Sequence, residues 1–93
     1  MTPIQTRIGM WHRRTFPNCS QLAIEAKFAE EADEFTNHPS GEEAADVVIV
    51  VMAWCEMNGV DLYEAVLAKF EKIQSRDQLS RDIERGIPHE VQP

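Results

Sequence analysis

The chain has 93 residues, 43% of them hydrophobic, and a net charge of −7, which fits one small globular domain spanning residues 1–93. The negative charge disfavours a nucleic-acid polymer as partner, because such binding needs excess lysine and arginine against the phosphates. The longest apolar run, residues 47–55, is far shorter than the ~20 residues of a membrane span.

The first seventeen residues mix basic and aromatic side chains and end at Pro17, so we expect them to be mostly irregular, with at most one short helix. A basic, aromatic segment on an acidic protein has the chemistry to hold a single nucleotide. Trp11, His12 and Arg14 are the candidate contacts, together with Lys27 further along the chain. The alternative is that the aromatic residues pack as core and the arginines are solvated.

Residues 19–37 lack glycine and proline and are rich in alanine and glutamate, which predicts a helix. Either Asn18 or Ser20 can cap its start. The sequence "NHPSG" then breaks the chain.

Ser40 followed by Glu43 has the capping-box spacing and predicts a second helix over residues 41–57. Asn58 and Gly59 end that helix. Because its interior is apolar on every face, we expect it in the middle of a bundle.

A third helix is predicted over residues 62–78, followed by a polar tail over residues 80–93. Its core stripe has helical spacing and consists of Leu62, Val66, Phe70 and Ile73. Strand patterns are missing from the sequence, so the expected class is all-α. The expected architecture is an antiparallel helical bundle of three main helices, completed by homodimerisation.

Two acidic pairs flank the short loop between the first two predicted helices. Glu31 and Glu34 are three residues apart, as are Glu43 and Asp46, so each pair shares a helix face. Helices joined by a short loop return antiparallel, which brings the four carboxylates together. Asp46 is surrounded by apolar residues and needs a cation nearby, because an unpaired buried charge is costly.

Carboxylate oxygens are the ligands that magnesium and manganese prefer. Di-iron bundles use Glu-x-x-His pairs, which this sequence lacks, and its two cysteines have no metal-ligand spacing. A divalent-ion site is one interpretation of the acids. Ion pairing with lysines of the third helix and a solvated acidic edge are the others.

The combined pattern, "EEADE" at residues 30–34 and "EAAD" at residues 43–46, resembles the MazG-like all-α nucleoside triphosphate pyrophosphohydrolases. The resemblance covers residues 11–78 and includes the apolar run, the "NGVD" turn and a basic third helix. It is closest to the short, phage-type members, which act on purine deoxynucleotides such as dGTP or dATP.

The resemblance implies hydrolysis of a nucleoside triphosphate to a monophosphate and pyrophosphate, with two or three Mg²⁺ ions, or Mn²⁺, as cofactor. It implies that the metal ligands are Glu31, Glu34, Glu43 and Asp46, with Glu30 holding a further ion or the attacking water. It also implies phosphate contacts from Lys69, Lys72 and Arg76. These three cations share an arc of about 60° on a helical wheel.

The resemblance further implies a homodimer, and two such dimers would make a tetramer. The N-terminal segment lacks a signal-peptide core, and two unpaired cysteines suit a reducing compartment, so we expect a cytoplasmic protein. Two positions depart from the family pattern: the loop from Glu34 to Glu43 is short, and Ile73 replaces a frequent asparagine. A phosphoribosyl-ATP pyrophosphatase and a non-catalytic helical interaction protein are the alternatives.

Overall fold

The computed structural model describes residues 2–84, with side chains through residue 76. Within that range the chain forms four helices and no strand, so the predicted all-α class is confirmed. The helices are α1 Ile4–Thr15, α2 Gln21–Asn37, α3 Gly41–Met57 and α4 Leu62–Glu84.

The chain divides into two compact units, Met1–Leu62 and Tyr63–Pro93. The first unit holds α1, α2 and α3, and the second holds α4, which extends past the predicted end near residue 78. Two predicted core positions of α4, Val66 and Phe70, are 56% and 53% exposed. The last nine residues of the predicted tail lie outside the described residues.

Helix α1 corrects the expectation of a mostly irregular N-terminal segment. It begins after Pro3 without a side-chain cap and without an acid in its first turn; its local helix signal is the basic last turn, with His12, Arg13 and Arg14. Its stability comes from α3: Gln5 Nε2 donates to Glu56 Oε2 at 2.9 Å and to the Val60 carbonyl at 2.7 Å. Gln5 Oε1 accepts from the Leu62 N–H at 2.9 Å, so the amide of Gln5 joins α1 to Glu56, Val60 and Leu62, all within the first unit.

Gly9 allows α1 to lie close against α3. A Cβ at this position would fall 2.5 Å from Glu56 Cγ, well inside ordinary contact distance. Arg13 Nη1 also lies 4.0 Å from Glu56 Oε1. Glu56 is therefore the residue of α3 that α1 packs against.

The predicted caps of α2 and α3 are present. Ser20, one of the two candidates, accepts a hydrogen bond from the Ala23 N–H at 3.1 Å. Ser40 accepts from the Glu43 N–H at 3.0 Å. Gly59 follows α3 with a φ of 67°, a left-handed conformation that favours glycine.

Helices α2 and α3 pack in antiparallel register. Near the connecting loop an oxygen of Glu31 lies within 4.8 Å of one from Asp46. At the far end Asn58 Nδ2 donates to Gln21 Oε1 at 3.2 Å. Early residues of α2 thus meet late residues of α3, and the acids gather at the loop end.

The core between these helices is small. It centres on Ile24, Val50 and Ala53, which are at most 9% exposed. In the single chain α3 is not buried on every face, because Val48 and Trp54 are 45% and 37% exposed. Its place in the middle of a bundle completed by homodimerisation stays a prediction. A chain of this length cannot cover every apolar face by itself.

Both cysteines are free thiols. Burial, followed by the charge of Glu56, raises the pKa of the Cys55 thiol. Cys55 therefore behaves as a small apolar core residue, while Cys19 is partly exposed.

Candidate functional site: an acid cluster beside an aromatic cavity

The acids form two overlapping groups at the loop end of α2 and α3. In one, oxygen atoms of Glu31, Glu43 and Asp46 lie within 4.8 Å of one another; in the other, so do oxygen atoms of Glu30, Glu31 and Glu34. Glu31 belongs to both groups. All five acids singled out in the sequence are thus gathered, and we call them the acid cluster.

Local structure explains how α3 presents its acids. The Ser40 cap fixes the first turn of α3, and Glu43 sits in that turn, where the helix dipole favours negative charge. Asp46 follows one turn later on the same face. This placement offsets part of the repulsion among the carboxylates.

Two oxygen atoms of the acid cluster are buried without a hydrogen-bond partner among the described residues: Glu31 Oε2 and Glu43 Oε2. Glu31 is 8% exposed. A buried carboxylate oxygen is costly to leave unsatisfied, by about 1–3 kcal/mol or more. The arrangement is therefore suited to an additional cation.

Lys27 is the cation in contact with the acid cluster. Its Nζ lies 3.1 Å from Glu31 Oε1 and 3.5 Å from Glu30 Oε2. The hydrogen bond to Glu31, followed by the charge of Glu30, raises the pKa of Lys27. The lysine side chain is 49% exposed, so the pairing is largely open to water and weak.

The proximity of the carboxylates also affects Glu34. The charge of Glu31, followed by partial desolvation, raises the pKa of Glu34 above its ordinary value of 4.5. The charge of Glu43 contributes in the same direction, as expected for residues that face each other across the α2–α3 pair.

A cavity of about 700 Å³ opens beside the acid cluster. The residues lining it are Trp11, His12, Phe16, Pro17, Asn18, Cys19, Ala23, Ile24, Lys27, Glu31, Asp46, Ile49, Val50 and Ala53. It is mostly apolar, with charged groups from Lys27, Glu31 and Asp46. Its volume lies within the range of sites for small organic ligands.

Three rings from α1 and the turn after it form the aromatic wall of this cavity. Trp11 and Phe16 meet edge to face with centroids 5.7 Å apart, and the His12 and Phe16 centroids are 5.6 Å apart. His12 is 6% exposed, whereas Trp11 is 44% exposed. A flat aromatic ligand in this cavity can therefore contact Trp11, and its polar substituents have Lys27, Glu31 and Asp46 as charged partners in the same lining.

Three of the four candidate nucleotide contacts, Trp11, His12 and Lys27, line this cavity, and Arg14 does not. The three candidate phosphate contacts, Lys69, Lys72 and Arg76, are exposed residues of α4, in the second unit. Their contact with phosphate stays a prediction.

Nine of the lining residues were not among the predicted site residues, and Phe16 and Asn18 are two of these nine. Both flank Pro17, in the turn between α1 and α2. The aromatic–proline–polar sequence "FPN" was the available signal. It indicated only a turn, because the sequence does not reveal which side of the turn faces α3.

The donor set fits a hard divalent ion. Every candidate ligand atom is a carboxylate oxygen, two of these oxygens lack a partner, and Glu31 is shared between two groups. Oxygen-only ligand sets suit magnesium and manganese. Histidine does not take part in either group within the described residues.

Comparison of the chain with protein-family models, with curated proteins and with solved structures gave no match. Across the described helices, none combines the length and the apolar character that crossing a membrane requires.

Proposed function

We propose that this protein is a magnesium-dependent nucleoside triphosphate pyrophosphohydrolase of the MazG-like type. It converts a nucleoside triphosphate, with a purine deoxynucleotide such as dGTP or dATP as the expected substrate, to a monophosphate and pyrophosphate. The observation that carries the proposal is the cavity whose wall includes three aromatic rings and two members of the acid cluster. A nucleotide combines a flat base, which can stack on such rings, with anionic phosphates, which metal ions held by the acids would bind.

Glu31, Glu34, Glu43 and Asp46 would hold the ions, with Glu30 beside them. Magnesium bound there would supply charge neutralisation on the triphosphate and a lowered pKa for the attacking water. Manganese has the same ligand preference and would substitute.

The chain's own residues bind and orient the nucleotide. Trp11 offers an exposed ring face for stacking on a base, a contact worth ~1–3 kcal/mol. His12 and Phe16 contact that ring, with centroids 6.5 Å and 5.7 Å from it. A purine, with its larger ring system, gains more from such stacking than a pyrimidine.

Hydrolysis at the α-phosphorus forms a bond to a water oxygen and breaks the bond to the bridging oxygen. That oxygen leaves with the electron pair as part of pyrophosphate. Lys69, Lys72 and Arg76 are proposed to stabilise the developing charge. A homodimer, or a tetramer of two dimers, would bring further surfaces to the site, and the proposed location is the cytoplasm.

The deciding experiment is to incubate the protein with each NTP and dNTP plus magnesium and to separate the products by chromatography. The proposal requires a monophosphate and pyrophosphate in equal amounts. Inorganic phosphate, or no turnover of any nucleotide, would contradict it. Including phosphoribosyl-ATP in the panel tests the nearest alternative enzyme.

Asp46→Asn removes one charge from the acid cluster at a residue that lines the cavity. We expect kcat to fall by about 100-fold or more, while circular dichroism shows unchanged helix content. Asp33→Asn is the matched control, because Asp33 is an exposed acid of α2 outside both acid groups. Loss of helix content in Asp46→Asn alone would instead assign this acid a structural role.

One observation favours a non-catalytic alternative, in which the acids serve only as ion-pair partners. Lys27 does pair with Glu30 and Glu31, although the partner expected from sequence was a lysine of the third helix. The two functions differ in their response to metal. An ion-pair network gains nothing from millimolar magnesium, whereas a metal site raises the melting temperature.

A further inference from the structure

The Lys27 ammonium occupies the place where a bound cation would contact Glu31. In the described part of the chain, the ion pairs that reach the acid cluster are both made by Lys27. It contacts one oxygen of Glu31, while the other oxygen is buried without a partner. One ammonium group therefore pairs with two carboxylates of the acid cluster and leaves a buried oxygen of Glu31 without a partner.

Three features of the Lys27–Glu31 ion pair favour its displacement by another cation. Lys27 precedes Glu31 by four residues on α2, and this order is less favourable on a helix than glutamate before lysine. The lysine side chain is half exposed, so water competes for it. Lysine also carries its charge on a flexible stem with rotatable donors, which allows the ammonium to move without moving the helix.

A divalent ion and the Lys27 ammonium would each weaken the binding of the other to Glu31. The ammonium is 3.1 Å from Glu31 Oε1, so an ion bound to the same carboxylate would lie within a few ångströms of a like charge. The ion would also satisfy Glu31 Oε2, which Lys27 leaves unpaired. Lys27 also lines the cavity, so its ammonium is next to the space in which a ligand would bind.

We propose that Lys27 is a tethered cation that balances the acid cluster in the metal-free protein, competes with divalent ions for Glu31, and is released by them to contact a bound phosphate. This inference rests on the proposed metal site. It assigns Lys27 a positioning role, since the lysine acts on the ion and on the phosphate that the ion brings in.

The test is isothermal titration calorimetry, which measures the Kd for magnesium. Magnesium is titrated into chelator-stripped Lys27→Met and into the chelator-stripped wild type. Methionine keeps the apolar stem and removes the charge. We expect Lys27→Met to bind magnesium with a Kd lower by about three- to tenfold, because a repelling charge is gone. Lys27→Arg keeps the charge and should bind close to the wild-type Kd.

Arg7→Met is the matched control, because Arg7 is an exposed cation of α1 outside the cavity lining and both acid groups. Its Kd for magnesium should equal that of the wild type. Thermal melting in chelator adds a second readout that needs no metal: Lys27→Met should melt below the wild type, and saturating magnesium should close the gap. Should Lys27→Met fail to fold, Lys27→Gln takes its place.

Equal magnesium affinities in Lys27→Met and the wild type would overturn this inference and leave the proposed metal site intact. Absence of magnesium binding in both proteins would overturn the metal site and the inference together. Tighter binding in Arg7→Met and Lys27→Met alike would also overturn it, because net charge rather than competition at Glu31 would then be the cause.

Discussion

Glu31 links the two acid groups to the cavity. It is the only member of the acid cluster described as buried, it belongs to both groups, and it lines the cavity. Its burial follows from its place on α2, one helical turn on from Lys27 and facing Asp46 across the helix pair. A cation bound to Glu31 would therefore lie beside the cavity and next to the other acids of both groups.

Glu34→Gln tests the repulsion within the acid cluster. Glu34 has a pKa raised chiefly by the charge of Glu31, so the folded metal-free protein binds this proton more readily than the unfolded chain. The stability associated with protonated Glu34 is complete below its ordinary pKa of 4.5 and is lost as the pH rises through the raised value. We expect Glu34→Gln in chelator to melt above the wild type at pH 7 and equally with it below about pH 4.

Melting curves across pH 3.5–7.5 in chelator would measure this difference. Asp33→Gln, at a neighbouring exposed position, is the control for the loss of one acid. A stability gain for Glu34→Gln that is the same at every pH would count against repulsion as its cause. In millimolar magnesium the order should reverse at pH 7, because the variant lacks a metal ligand.

At the scale of the helices, a side-chain cap, a glycine turn and a hydrogen bond between helices fix the positions of the site residues. Ser40 fixes the turn that carries Glu43, while Gly59 ends α3 and lets the chain turn before α4. The hydrogen bond from Gln5 to Glu56 holds α1 against α3. Because α1 carries Trp11 and His12, this contact also sets the position of the aromatic wall.

Gly59→Ala should lower the free energy of unfolding by about 1 kcal/mol. Gly59 has a φ of 67°, a region that residues with a Cβ enter at a cost of ~1–2 kcal/mol. Urea denaturation would measure the change. Gly41→Ala is the matched control: the glycine lies in the first turn of α3 with open space around it, so alanine there should be neutral or stabilising.

The unit formed by α1, α2 and α3 leaves large apolar side chains in water. Phe28 and Trp54 are 45% and 37% exposed and line a groove of about 230 Å³ together with Val51. Patches of this kind on small proteins commonly mark contact surfaces. The homodimer stays a prediction, in which the same groove of a second copy would cover these side chains.

Trp54→Lys should convert the predicted dimer to a monomer. Burying a lysine in an apolar interface without a partner is unfavourable by several kcal/mol. Analytical ultracentrifugation would give the mass, which for a monomer is 10.6 kDa. Ile4→Lys, at an exposed position of α1, should leave the mass unchanged; a wild-type mass of one chain would itself contradict the predicted dimer.

The sequence by itself determined the features that depend on neighbours along the chain. The sequence predicted helices over residues 19–37 and 41–57, and the structure has them at Gln21–Asn37 and Gly41–Met57. The Ser40 cap, Ser20 as one of two candidate caps, and the pairing of acids on each helix also followed from local spacing. The antiparallel return of α3 followed from the short loop. These features are local because backbone hydrogen bonds and caps join residues at most four apart.

Only the tertiary structure decided the rest. Helix α1 has no cap and no acid in its first turn; it is held by Glu56, fifty-one residues beyond Gln5. The cavity exists because α1, the turn after it and α3 come together, and Lys27 was shown to pair with Glu31 rather than merely share its helix face. Contacts between residues distant in sequence depend on how whole helices pack, which the spacing within one helix does not specify.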